Sequence, residues 1–242
     1  MQSGWYVATL SFESGLNLCE GGAGMVYHFI EDVCVFATED AQEARRLAME
    51  EGAESEAFRN ALVQKGMRAF EDVNPSLALP EEFWDLPGVH PDLAYKYQYC
   101  RFQGFRDPVA IASCRDLGVS AISTHHWVET VDILLPEATA SDPTSTLYLA
   151  VQDFNRRHEG AYCAISRLVM ITAETSEEAN RLAISDAFRY GCEEPGLEFE
   201  RVSDIRNVPS GWEEMQLASI DLVVPGNLEA HYRNDLGRAE AV

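Results

Sequence analysis

The chain has 242 residues, 46% of them apolar and 24% charged, which is enough to bury a full core and too apolar for a disordered polypeptide. Acidic residues number 40 against 18 basic ones, a formal charge of −22, so its field repels nucleic acid and anionic membrane and attracts cationic proteins. No apolar run approaches the roughly 20 residues of a membrane helix, and the opening "MQSGWYVATLSFESG" lacks the basic and apolar regions of a secretory signal; the expectation is a cytoplasmic protein.

In chain order, Trp5, Tyr6, Val7 and Ala8 open a strand. The glycines of "CEGGAGMVYHF" (19–29) lead into a second β-rich run at 26–39. A phosphate loop should instead open a helix, whose N–H groups would meet the anion, so this stretch is expected to be a hairpin connection. Asp40 followed by Glu43 marks a candidate capping box, and Ala41, Ala44, Leu47 and Ala48 continue at helical spacing. Phe58, Ala61, Leu62, Ala69 and Phe70 predict an added helix over 54–73. Prolines 75, 80, 87 and 91 then rule out continuous regular structure.

A third strand is expected over 95–105, with Tyr95, Tyr97 and Tyr99 on one face. A fourth is expected at "HWVETVDILLP" (126–136), before a linker at 137–146. The remainder reads as strand from Leu147, strand at 161–174, helix from a Thr175 cap with Glu178 three residues later, strand at 197–205, strand at 215–225 and a tail at 226–242.

The second part resembles the first in three blocks that occur in the same order. Trp5 to Ala8 matches Leu147 to Ala150, "VFATEDAQEARRLA" at 35–48 matches "MITAETSEEANRLA" at 170–183, and "TVDILLP" at 130–136 matches "SIDLVVP" at 219–225. The expected fold is therefore α+β, two ββαββ-like repeats with mostly antiparallel sheets and helices on one face. The first repeat spans 1–136 with an insertion at about 54–94, and the second spans 147–225. These same stretches, the Trp-Tyr opening strand and the Glu-Glu-Ala helix start, resemble a small bacterial family known only as a domain of unknown function. The resemblance implies a bacterial source and an accessory or interaction role; it implies no active site.

For chemistry, the sequence has no P-loop, no dinucleotide fingerprint, no nucleophile elbow and no HExxH helix. Six cysteines lie far apart with no metal-ligand spacing, so neither a metal nor a cofactor is expected. His125 and His126 are the most reactive-looking pair, with Cys114, Cys100 or Asp132 as imaginable partners. Adjacent strand residues face opposite ways, however, so the two imidazoles would not readily share a ligand. Asp132 and Asp221 are polar positions inside apolar strands and read as structural hydrogen-bonding groups.

The sequence thus leads to a non-enzymatic, acidic protein-binding protein, for instance an immunity protein that occludes a basic toxin. Glu81, Glu82, Phe83, Trp84 and Tyr97 are its candidate contacts, being acidic or aromatic and in or beside the insertion. The alternatives are a small enzyme with a site between the repeats and a structural adaptor.

Overall fold

The computed structural model describes residues 4–18, 25–38, 40–73, 100–111, 118–135, 147–158, 161–209 and 216–235. Its strands are β1 (Gly4–Leu18), β2 (Met25–Thr38), β3 (Arg101–Ile111), β4 (Gly118–His126), β5 (Val128–Ile133), β6 (Leu147–His158), β7 (Ala161–Thr172), β8 (Leu197–Asn207) and β9 (Gln216–Pro225). Its helices are α1 (Ala41–Val73), α2 (Ser176–Glu193) and α3 (Glu229–Asp235). The class is α+β, as the alternation of β-rich runs and capped helices indicates.

The strands form two sheets, one ordered β3-β1-β2-β9-β5 and the other β4-β7-β6-β8. In the second, β6 and β7 make an antiparallel hairpin from Leu147↔Thr172 to His158↔Ala161. β7 runs nearly unbroken through Ile165, Leu168, Val169, Met170 and Ile171, all buried, the composition of a strand covered on both faces. α2 lies on this sheet with Ala179 and Ala183 packed among Tyr148, Ala150, Val169 and Ile171. Ala187 packs with Phe154, Cys163, Ile165 and Leu197.

Three features differ from the sequence reading. The helix that starts after Asp40 does not stop before a second one; it runs without a break from Ala41 to Val73. Its residues are mostly good helix formers, its internal Gly52 is buried where a side chain would meet the Phe102 ring, and the next proline comes only at Pro75. The third strand begins at Arg101 and extends to Ile111, while 95–99 lie outside the described residues. The tail beyond 225 carries α3.

The expected fourth strand is also divided. Trp127 has φ 64°, a left-handed conformation that ends β4 and starts β5. β4 then pairs with β7, from Gly118↔Thr172 to His126↔Ile165. β5 pairs with β9, with Thr130↔Asp221, Val131↔Ile220 and Asp132↔Ser219. The two similar phrases are thus antiparallel neighbours, and β9 sits beside β2 rather than beside β8. A strand from each half thus borders the other half's hairpin.

By contacts, the chain divides into two units built from interleaved segments. One comprises Met1–Thr9, Glu31–Leu47 and Asp107–Leu222, the other Leu10–Ile30, Ala48–Arg106 and Val223–Val242. Within the second, Phe12 packs on Phe102 with ring centroids 5.4 Å apart, and Phe29 on Tyr232 at 4.3 Å. The Tyr232 hydroxyl lies 2.8 Å from that of Ser11, so α3 is docked by an aromatic ring whose polar tip is satisfied.

Candidate functional site

Of the residues singled out in the sequence, Glu81, Glu82, Phe83, Trp84, Tyr97 and Cys114 lie outside the described residues. His125 and His126 end β4, with His125 opposite Ser166 and His126 opposite Ile165 on β7. His125 is fully buried and His126 partly exposed. Asp132 is exposed on β5, and Asp221 accepts a hydrogen bond from the Thr130 hydroxyl at 2.8 Å. Cys100 is buried; its carbonyl accepts a hydrogen bond from the Asn60 side-chain amide at 3.0 Å.

Both nitrogens of the His125 ring are occupied, and by residues the sequence reading had not chosen. Nδ1 pairs with the Glu31 carboxylate of β2, and Nε2 lies 2.8 Å from the Ser123 hydroxyl. Ser123 and His125 share a strand face because they are two positions apart. With an ionised Glu31 and a neutral ring, the carboxylate accepts from Nδ1–H and Nε2 accepts from the Ser123 hydroxyl. Glu31 and His125 are both fully buried, whereas Ser123 is partly exposed.

The backbone around this group is irregular at two points. The β4–β7 register shifts between Ala121 and Ser123, a bulge immediately before the hydroxyl. Trp127, with its left-handed φ, follows His125 by two residues; its amide donates to the Ala164 carbonyl at 2.9 Å. Bulges and left-handed non-glycine residues both concentrate where a fold aims side chains for a task. Next to Glu31, Asp32 accepts a bond from Ser219 at 2.9 Å. The legible signal for this group was the Glu31-Asp32 pair inside an otherwise apolar strand.

A second buried polar group joins α2 to its sheet. Arg167 Nη1 donates to Asp186 Oδ2 at 2.5 Å and to Gln152 Oε1 at 2.8 Å. The Gln152 amide nitrogen donates to the Ala183 carbonyl at 2.8 Å and to Asp186 at 3.3 Å. The guanidinium lies over the Tyr190 ring, 4.4 Å from its centroid. Every member points into the α2–sheet layer, so this group's role is packing.

In the other unit, Arg233 of α3 contacts Glu229, Glu13 at 3.1 Å and the Gln103 side-chain oxygen at 2.7 Å. Burial pulls its guanidinium down, but the bonds and charges of Glu229 and Glu13 outweigh this and hold it above the ordinary value. Burial pushes the Cys163 thiol up, so it is poorly suited to act as a thiolate.

Among the described residues, no group of three or more His, Cys, Asp or Glu side chains could hold a metal ion, and no helix is long and apolar enough to cross a membrane. Comparison of the chain with protein families, with curated proteins and with solved structures finds no match.

Proposed function

We propose that the protein acts by binding a cationic protein and occluding its working surface, as an immunity protein would occlude a basic toxin. The observation that carries this reading is the acidic excess. If each of the 18 basic residues held one carboxylate, 22 carboxylates would remain. Several arginines already do so: Arg45, Arg46, Arg156, Arg167, Arg181, Arg189, Arg201, Arg206 and Arg233 each pair with an acid of the same chain. The free charge is therefore acidic and available to steer a basic partner.

An aromatic anchor accompanies it. Phe188 on α2 is 58% exposed and meets Phe199 of β8 edge-on at 5.0 Å. Glu198 and Glu200, next to Phe199 in the strand, are exposed on the opposite face of the sheet, where Glu200 accepts a bond from the Asn155 amide at 3.0 Å. An exposed aromatic pair suits an apolar notch on the partner, while the acidic excess elsewhere on the surface steers its approach. Free thiols at Cys163 and Cys192 support a reducing, cytoplasmic setting.

The test is affinity capture from the native extract at low salt and at about 0.5 M salt, where exposed charge pairs are heavily screened. A basic protein retained in stoichiometric amount should associate more slowly with the Glu198→Lys, Glu200→Lys double variant and dissociate faster from Phe188→Ala. A capture that stays empty at low salt counts against the reading.

A further inference from the structure

We propose that Ser123 is a nucleophile, activated by His125 and oriented through Glu31, that accepts an acyl group from a small ester or thioester. This goes beyond partner binding and does not depend on it.

A serine hydroxyl is a weak nucleophile until a base removes its proton, and a neutral imidazole does so only when its accepting nitrogen faces the hydroxyl. Here Nε2 lies 2.8 Å from Ser123 Oγ, within the reach a general base needs. The other nitrogen is held by Glu31, which fixes both the tautomer and the ring plane. The order of burial also matches the task. The carboxylate and the imidazole are fully buried, and Ser123 is partly exposed. A purely structural imidazole is satisfied more cheaply by a backbone carbonyl than by a second ionisable group that must itself lose its water. The bulge before Ser123 and the left-handed Trp127 after His125 bracket the pair on the same strand.

In the proposed reaction, Ser123 Oγ attacks the carbonyl carbon as its proton passes to His125 Nε2. The tetrahedral adduct collapses, and the departing alkoxide or thiolate takes that proton from the imidazolium, leaving the acyl group on Oγ. Water then attacks the same carbon through the same base, and the released carboxylic acid leaves the serine reprotonated. Glu31 is a positioning residue: it stabilises the imidazolium without touching the substrate.

The experiment uses a fluorophosphonate probe, which phosphonylates an activated serine with loss of fluoride, read by intact mass and peptide mapping of the full chain. Stoichiometric modification at Ser123, absent in Ser123→Ala, is expected. His125→Gln should slow labelling by about a hundredfold or more, the scale of a lost general base. Glu31→Gln should slow it and displace its pH profile, which a merely structural role would leave unmoved. Should a histidine variant fail to fold, Ser123→Ala, which removes one oxygen from a partly exposed residue, keeps the test open. Folded wild-type protein that takes no label at Ser123, or a folded His125→Gln labelled at the wild-type rate, overturns the proposal.

Discussion

The two long helices begin with nearly the same sequence and are held to the protein by different means. Each presents small residues one turn apart: Ala44, Ala48 and Gly52 on α1, Ala179, Ala183 and Ala187 on α2, all buried. Small side chains in such a row let a helix axis lie close to whatever it covers. On α2 the row ends beside Asp186, whose carboxylate takes Arg167 and Gln152 from the sheet below. On α1 the row ends in Gly52, whose missing side chain makes room for the Phe102 ring. One helix is tied by a buried ion pair, the other by steric fit, and the same local pattern therefore leads to different sensitivities.

The largest effect expected is on α2. Asp186→Ala leaves the Arg167 guanidinium, whose side chain is 10% exposed, without its carboxylate, and breaking a buried pair in this way costs about 3–5 kcal/mol. Urea denaturation should show the loss as a lower midpoint. Replacing Arg167 and Asp186 together by Met and Leu should recover most of it, because the cost lies in the charge left behind. If the single variant loses no more than the double, the ion pair is not what holds the helix.

On α1 the corresponding test is Gly52→Ala. In a bare helix alanine would be favoured over glycine by about 0.5–1 kcal/mol. Here its methyl group enters the space of the Phe102 ring, and overpacking costs about 1–3 kcal/mol. A net destabilisation of about 1 kcal/mol follows from the two. Phe102→Leu in the same chain should reverse the sign, since the ring is the obstacle; thermal melts of the four proteins in the cycle decide it.

These contrasts show what was legible in the sequence. The helix starts were, because a cap and a 3.6-residue period are local: Asp40 accepts from the Glu43 amide at 2.8 Å and Thr175 from the Glu178 amide at 3.1 Å. The α+β class followed from the same local signals. Neighbouring strands were not legible, because the pairing of β4 with β7 and the place of β9 beside β2 depend on how the chain turns at Trp127, and a left-handed tryptophan has no sequence signature. Nor was the partner of His125, since Glu31 lies 94 positions earlier and nothing in the spacing connects them. The Asp132 and Asp221 phrases were recognisable as a pair, but that they would face each other across one ladder required the register.

The smallest expected differences are at the helix starts, where the two caps diverge after their shared first bond. Removing either cap, as Thr175→Ala or Asp40→Ala, should cost about 1 kcal/mol. What separates them is the glutamate three residues on. Glu178 turns back to accept from the Glu174 amide at 3.0 Å and keeps Arg181 only loosely, 3.6 Å away, whereas Glu43 binds Arg46 closely, 2.7 Å from Nη2. The hydrogen bond and charge of Arg46 hold the Glu43 carboxyl below its ordinary 4.5. A folded-state value below the unfolded one means that the contribution is complete above the unfolded value and is lost as pH falls through the folded one. The start of α1 should therefore weaken as pH falls through and below the ordinary 4.5. Amide exchange at Ala44 and Arg45, followed by NMR across that range in wild type and Glu43→Gln, checks this: the wild type should lose protection as pH falls, and the variant, already without the carboxylate, should show a flatter dependence. Equal slopes in the two would mean that Arg46 and Glu43 meet without contributing to the helix start, as many exposed pairs do.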